Sequence, residues 1–142
     1  MIGGVNIMRI NPKVLSEFKY SYLNVDVDLR FSDNLIFITG ESATGKSFLY
    51  TIFNTAQASI DEIETFNFTS LKKDILSSIK NLNNKLIVID NADILLDDEA
   101  REYIAFDCSN QYIIIGRDPR NLMLMTHQIK EIKFMNNILS LE

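Results

Sequence analysis

The chain has 142 residues, 46% of them hydrophobic and 23% charged, the balance of one ordinary globular domain with one core. Its 14 basic against 19 acidic residues give a net charge of −5, which argues against an electrostatic nucleic-acid binder. The only cysteine, Cys108, excludes an internal disulfide, and no apolar run approaches the ~20 residues of a membrane span, so a reducing, cytoplasmic setting is expected.

From the start of the chain, Met1-Ile2-Gly3-Gly4 lacks the charged and long apolar stretches of a secretory leader, and none is expected. Val5 to Ile10 predicts a short strand, broken by Asn11-Pro12 because Pro12 cannot donate to a ladder. Residues 13–20 show no clear period. Val25, Val27, Leu29 and Phe31 then alternate with Asp26, Asp28 and Arg30, the pattern of a half-solvated strand typical of antiparallel pairing. Ser32-Asp33-Asn34 supplies a turn.

The stretch around which the chain is organised follows. Leu35-Ile36-Phe37-Ile38-Thr39 predicts a buried strand, and Gly40-Glu41-Ser42-Ala43-Thr44-Gly45-Lys46-Ser47 reads G-x-x-x-x-G-K-S. Phe48, Leu49, Ile52, Phe53 and Ala56 then recur as one face of a helix. Glycines at 40 and 45 permit backbone angles and close approaches that a Cβ would obstruct. Loop amides at a helix N-terminus can then converge on phosphate oxygens. The candidate nucleotide-binding residues are therefore Gly40, Glu41, Ser42, Ala43, Thr44, Gly45, Lys46, Ser47 and Phe48. Lys46 would reach the β- and γ-phosphates and the Ser47 hydroxyl would ligate Mg²⁺. Glu41 is expected to be an exposed loop filler or a partner contact.

Further on, Glu64 to Phe68 predicts a strand, and Ser70 is the expected N-cap of a helix whose apolar face is Leu71, Ile75, Leu76, Ile79 and Leu82. Asn83-Asn84 ends it. Leu86-Ile87-Val88-Ile89 predicts a strand buried on both faces and closes on Asp90. Four apolar residues and an Asp form the Walker B pattern, whose carboxylate would hold Mg²⁺ beside Ser47. The next residue is Asn91, which cannot act as a base. Asp93 is the nearest spare carboxylate, with helix capping as its competing role. Asp97-Asp98-Glu99 opens a helix with the acidic first turn that the helix dipole prefers. Tyr112-Ile113-Ile114-Ile115 predicts another buried strand, stopped by Gly116-Arg117-Asp118-Pro119. Arg117, just past that strand, could reach a γ-phosphate, or simply pair with Asp118. Cys108 is expected to pack near a helix end, and His127 to lie in a loop or on the surface. Ile129 to Phe134 and Ile138 to Leu141 predict a hairpin with Asn136-Asn137 at its tip. The candidate catalytic residues are Lys46, Asp90, Arg117 and Asp93, and the candidate metal ligands are Ser47 and Asp90.

The 40–47 motif and Asp90 together resemble the P-loop NTPases. Two finer likenesses compete. Phe31 through Gly40 is similar to the entry to the loop in ATP-binding-cassette and SMC-like ATPases, which also place antiparallel strands before the loop strand and a hairpin at the end of the core. Against that pattern, the chain carries no Ser-Gly-Gly-Gln signature and too short an interval between Lys46 and Asp90 for a helical subdomain, and Asn91 replaces a catalytic Glu. Ile89-Asp90-Asn91-Ala92-Asp93 and Ile114-Ile115-Gly116-Arg117-Asp118-Pro119 are similar instead to the Walker B and sensor strands of AAA+ and STAND ATPases. The P-loop NTPase resemblance implies an α/β fold over residues 1–142, a three-layer sandwich with a mainly parallel sheet, and the strand pattern adds antiparallel N-terminal strands and a C-terminal hairpin to that expectation. The implied cofactors are ATP and Mg²⁺, with slow or partner-dependent hydrolysis. A second copy of the chain or another protein would complete the site. A regulatory nucleotide-binding subunit without turnover and a small-molecule kinase are the alternative expectations.

Overall fold

The computed structural model describes residues 14–40, 45–67 and 74–142. The expected strand at Val5 to Ile10, the Ser70 cap, and Glu41, Ser42, Ala43 and Thr44 lie outside the described residues. The architecture is mixed α/β, built on an eight-stranded mixed sheet with few helices. Its strands are β1 (Glu17–Tyr22), β2 (Val25–Arg30), β3 (Leu35–Thr39), β4 (Ile63–Phe66), β5 (Leu86–Ile89), β6 (Gln111–Ile115), β7 (Ile129–Met135) and β8 (Ile138–Leu141). The helices are α1 (Lys46–Ala56), α2 (Ile75–Ile79), α3 (Ala92–Leu95) and α4 (Asp98–Phe106), with a 3₁₀ turn at Thr126–Gln128.

The strand order is β1-β2-β8-β7-β3-β6-β5-β4. From β7 to β4 every pairing is parallel, and each of these strands except β7 returns through a crossover. At the other end, β1 pairs antiparallel with β2, β2 pairs parallel with β8, and β8 pairs antiparallel with β7. The alternation predicted for residues 25–31 holds: Val27, Leu29 and Phe31 are buried while Asp26 and Arg30 are exposed. Strand β1 begins within residues 13–20, the stretch without a clear period, and runs to Tyr22. Two left-handed residues, Leu23 (φ 48) and Asn24 (φ 66), turn β1 into β2. Asn136 (φ 53) and Asn137 (φ 62) do the same between β7 and β8, the two-residue geometry that matches the twist of a hairpin.

Both faces of the parallel strands are covered. On one, Leu49, Ile52, Phe53 and Ala56 of α1 pack on Ile36, Ile38, Val88, Ile113 and Ile115. The sheet curls so that β1 and β2 reach the same helix, with Phe18 stacked on Phe53 at 4.6 Å between centroids and Tyr22 tilted against Phe48 at 5.9 Å. On the other face, Ile75, Ile79, Ala92, Leu96, Ala100 and Ile104 cover Phe37, Ile87, Ile89, Tyr112 and Ile114. Helix α2 starts later than its apolar pattern suggests: Asp74, in extended backbone, caps it by accepting from the Ser77 amide at 2.9 Å. Asp97 caps α4 from the Ala100 amide at 2.9 Å, as the acidic run predicts. Cys108, expected to be packed, is exposed just beyond α4.

At the amino ends of β5 and β6 lies a buried polar network. The Asp107 carboxylate accepts from Tyr112 Oη and Ser109 Oγ, each at 2.6 Å, and from Asn110 Nδ2 at 3.0 Å. Asn110 also accepts from the Lys85 amide at 3.0 Å and donates to the Leu82 carbonyl at 2.8 Å, tying β6 to the entry of β5. Burial pushes the Asp107 carboxyl up, but the Ser109, Tyr112 and Asn110 hydrogen bonds outweigh it and hold the group below its ordinary value. A depressed carboxyl stabilises the fold above its unfolded pKa of about 3.9 and loses that contribution as pH falls through the lower folded value. Asp107→Ala, which strands the buried Tyr112 hydroxyl, is expected to cost about 2–3 kcal/mol in urea unfolding near neutrality. The gap to the wild type should narrow only in acid, below about pH 4, where the part due to ionisation is lost.

Candidate functional site

Strand β6 lies between β3 and β5, and the registers bring all three carboxyl ends to one edge of the sheet, stepped by one residue. Ile38 pairs with Ile115 and Ile89 with Ile114, so Thr39 leaves the sheet beside Gly116 and Asp90 beside Ile115, one residue lower. The Gly116 amide donates to the Ile38 carbonyl at 3.1 Å. Above this edge is a cavity of about 330 Å³ lined by Gly45, Lys46, Ser47, Phe48, Asp90, Asn91, Asp93, Ile115, Gly116 and Arg117.

Helix α1 enters the cavity with its N-terminus. Its cap is Gly45 at φ 96, with no capping side chain and no acidic residue in the first turn. Among the described residues, the amides of that first turn therefore meet no side-chain anion, and the positive end of the helix dipole opens on the cavity. Gly40 is also left-handed, at φ 138. Lys46 Nζ donates to the Gly40 carbonyl, which folds the ammonium back over the strand end. Ser47 is exposed at the mouth, and Phe48 is half-buried against Tyr22.

Asp90 faces this cluster from the end of β5. Burial pushes its carboxyl above the ordinary range, opposed by the Asn91 amide and by the Lys46 charge. The Ser47 hydroxyl and the Asp90 carboxylate are hard oxygen donors suited to Mg²⁺, an ion that takes one or two protein ligands and completes its shell with phosphate oxygens and water. Among the described residues no group of three or more His, Cys, Asp or Glu side chains could form a metal site by itself.

Two expectations are corrected. Asp93 does not cap a helix. The N-cap of α3 is Asn91, left-handed at φ 53, and Asp93 sits inside the first turn. Its carboxylate instead accepts from the amides of Arg117 at 2.9 Å and Asp118 at 3.0 Å. Asp93 is thus committed to holding the segment after β6. Nor does Arg117 pair with Asp118, whose carboxylate is taken by Arg120 at 2.7 Å. His127 is exposed, as expected, with Nε2 3.3 Å from Asp33.

Arg101 of α4 escaped the sequence reading. Its side chain is fully buried, with Nε donating to the Leu96 carbonyl at 3.1 Å and Nη1 to the carbonyls of Asp118 at 2.6 Å and Arg120 at 3.0 Å. Nη2 lies 3.7 Å from Asp93 Oδ1. Burial, aided by the Arg120 charge, lowers this guanidinium from its ordinary value against the pull of Asp118, Asp93 and Asp98, yet an arginine so placed stays charged. The signal in the sequence was an Arg sharing a helix face with Ala100, Ile104 and Ala105. Gly116 is a second such position, because a Cβ there would stand 3.1 Å from Asp93 Oδ1 and 3.3 Å from Ala92 Cβ.

No family model, curated protein or solved structure matches the chain. Among the described residues no helix is long and apolar enough to cross a membrane.

The raised Asp90 pKa has a thermodynamic sign. The folded state binds a proton there more tightly than the unfolded chain, so ionisation lowers stability as pH rises from about 4 through the folded pKa. Asp90→Asn removes that cost. The ligand-free variant should melt at a higher temperature than the wild type at neutral pH, with the difference vanishing towards pH ~4. A variant that melts lower than the wild type at neutral pH, with the deficit closing in acid, would show that the charge of Asp90 stabilises the fold instead.

Proposed function

We propose that this chain binds a Mg²⁺-nucleotide, ATP by preference, in the cavity above β3, β6 and β5, and hydrolyses it slowly or with a partner's help. The observation that carries the reading is the convergence of Lys46, Ser47, Asp90 and Arg117 on one cavity at the uncapped N-terminus of α1. The preference for ATP rests on the lack of an Asn-Lys-x-Asp guanine motif in the sequence. On this reading the helices on both sheet faces form a P-loop NTPase-like three-layer sandwich. The antiparallel β1–β2 pair and the β7–β8 hairpin favour the minimal ATP-binding-cassette or SMC-like likeness over the AAA+ or STAND one.

The roles follow from charge and position. Loop amides and Lys46 hold the phosphates, and Arg117 offsets negative charge from across the cavity. Ser47 and Asp90 would hold Mg²⁺, which supplies further neutralisation of the polyphosphate. Titration calorimetry with MgATP tests the assignment: Lys46→Ala is expected to weaken binding about tenfold to a hundredfold, the worth of a charged hydrogen bond. Unchanged affinity would refute it.

A second reading, a nucleotide-gated subunit without useful turnover, is favoured by Asp93 and Asn91. Both Asp93 oxygens are occupied by backbone amides. Asn91 stands where a catalytic Glu would follow Asp90, in a left-handed conformation that Asn tolerates and Glu does not. Asn91→Glu is therefore expected to lose about 1–2 kcal/mol of stability to backbone strain while raising ATP turnover. A folded, ATP-binding variant with no gain in phosphate release would favour the gated subunit.

A further inference from the structure

The backbone after β6 is gripped from both of its polar sides. Asp93 takes the amides of Arg117 and Asp118, and Arg101 donates to the carbonyls of Asp118 and Arg120. Through Nε and the Leu96 carbonyl, Arg101 refers this grip to the start of α4. A fully buried cation is a costly device, and an apolar side chain of similar volume would pack the same space without desolvating a charge. What the charge orders is the segment that carries Arg117 into the cavity. Arg117 itself forms no ion pair among the described residues. Arg120, its neighbour, is spent on Asp118 and Asp98.

We infer that Arg101, acting through Asp93 and the loop carbonyls, is a positioning residue for Arg117 and sets the preference of the site for a nucleoside triphosphate over a diphosphate. The inference rests on the nucleotide-binding reading above. The α1 N-terminus and Lys46 line the loop side of the cavity and Arg117 lines its β6 side; on the nucleotide-binding reading, Arg117 is the charge left to meet the terminal phosphate. A long arginine side chain binds an anion well only when its backbone origin is fixed in advance, because the ordering cost is then already met. Arg101 Nη2 makes no hydrogen bond and lies 3.7 Å from Asp93 Oδ1, so the hold of Arg101 on the segment runs through Nη1.

Calorimetry on the full chain with Mg²⁺ and either ADP or a slowly hydrolysed ATP analogue tests this. Arg101→Met and Arg101→Lys should keep ADP affinity within about twofold of the wild type and lose about fivefold or more of the triphosphate preference, and Arg117→Ala should lose at least as much of that preference. In the Arg117→Ala background, Arg101→Lys should remove no further preference, since it acts through the residue already lost. Arg101→Lys keeps a buried cation while being unable to span the same carbonyls, so it serves where Arg101→Met does not fold. Equal losses for the two nucleotides, an unchanged preference, or an additional loss in the double variant would overturn the inference. A wild type that binds neither nucleotide would sink the nucleotide-binding reading beneath it.

Discussion

The register of three parallel strands, which brings their carboxyl ends to one edge, is the constraint on which this molecule depends. Strands β3, β6 and β5 are buried on both faces, so their side chains do little to forbid a slip in register. A slip of one residue would carry Arg117 or Asp90 about 3.3 Å along the strand and dissolve the cavity. Polar contacts at the opposite edge forbid it. Asn110 joins β6 to Leu82 and Lys85, and the Gln111 side chain holds Leu15, ahead of β1, through both its amide and its carbonyl. Register is thus fixed at the amino edge and used at the carboxyl edge.

The cavity itself is made of features that a fold optimised for stability alone would avoid. A helix begins without a capping side chain, two glycines sit in left-handed backbone, and Asp90 is half-buried at a cost to its charge. The uncapped helix start and the half-buried carboxylate each cost the fold stability, and each presents a dipole or a charge to the same space. The hydrophobic enclosure of α1, by the parallel strands on one side and by Phe18 and Tyr22 of the curled edge on the other, holds that strained start in place.

Charge is also spent inside the protein. Arg101 and Asp93 form no close pair, at 3.7 Å, but each binds backbone of the segment after β6, one its carbonyls and the other its amides. Gly116 is what lets that segment come so near to Asp93. A carboxylate that the sequence offers as a spare base is, in three dimensions, a backbone ligand.

Much of the fold was legible in the sequence because it is written in local periods. The alternation over residues 25–31, the apolar runs of β3, β5 and β6, the face of α1, the acidic start of α4 and the Asn136-Asn137 tip are properties of neighbouring residues, and each stands where it was expected. Strand β1 was not legible, since its residues take their period from pairing with β2. The spacing of the 40–47 motif from Asp90 marked two sides of the cavity. Only the tertiary structure decided that β6 lies between them, that Asp93 turns to backbone amides, and that Arg101 is buried behind Arg117. Strand order and the partners of a buried charge depend on contacts between residues far apart in the chain, and local periodicity carries no record of those.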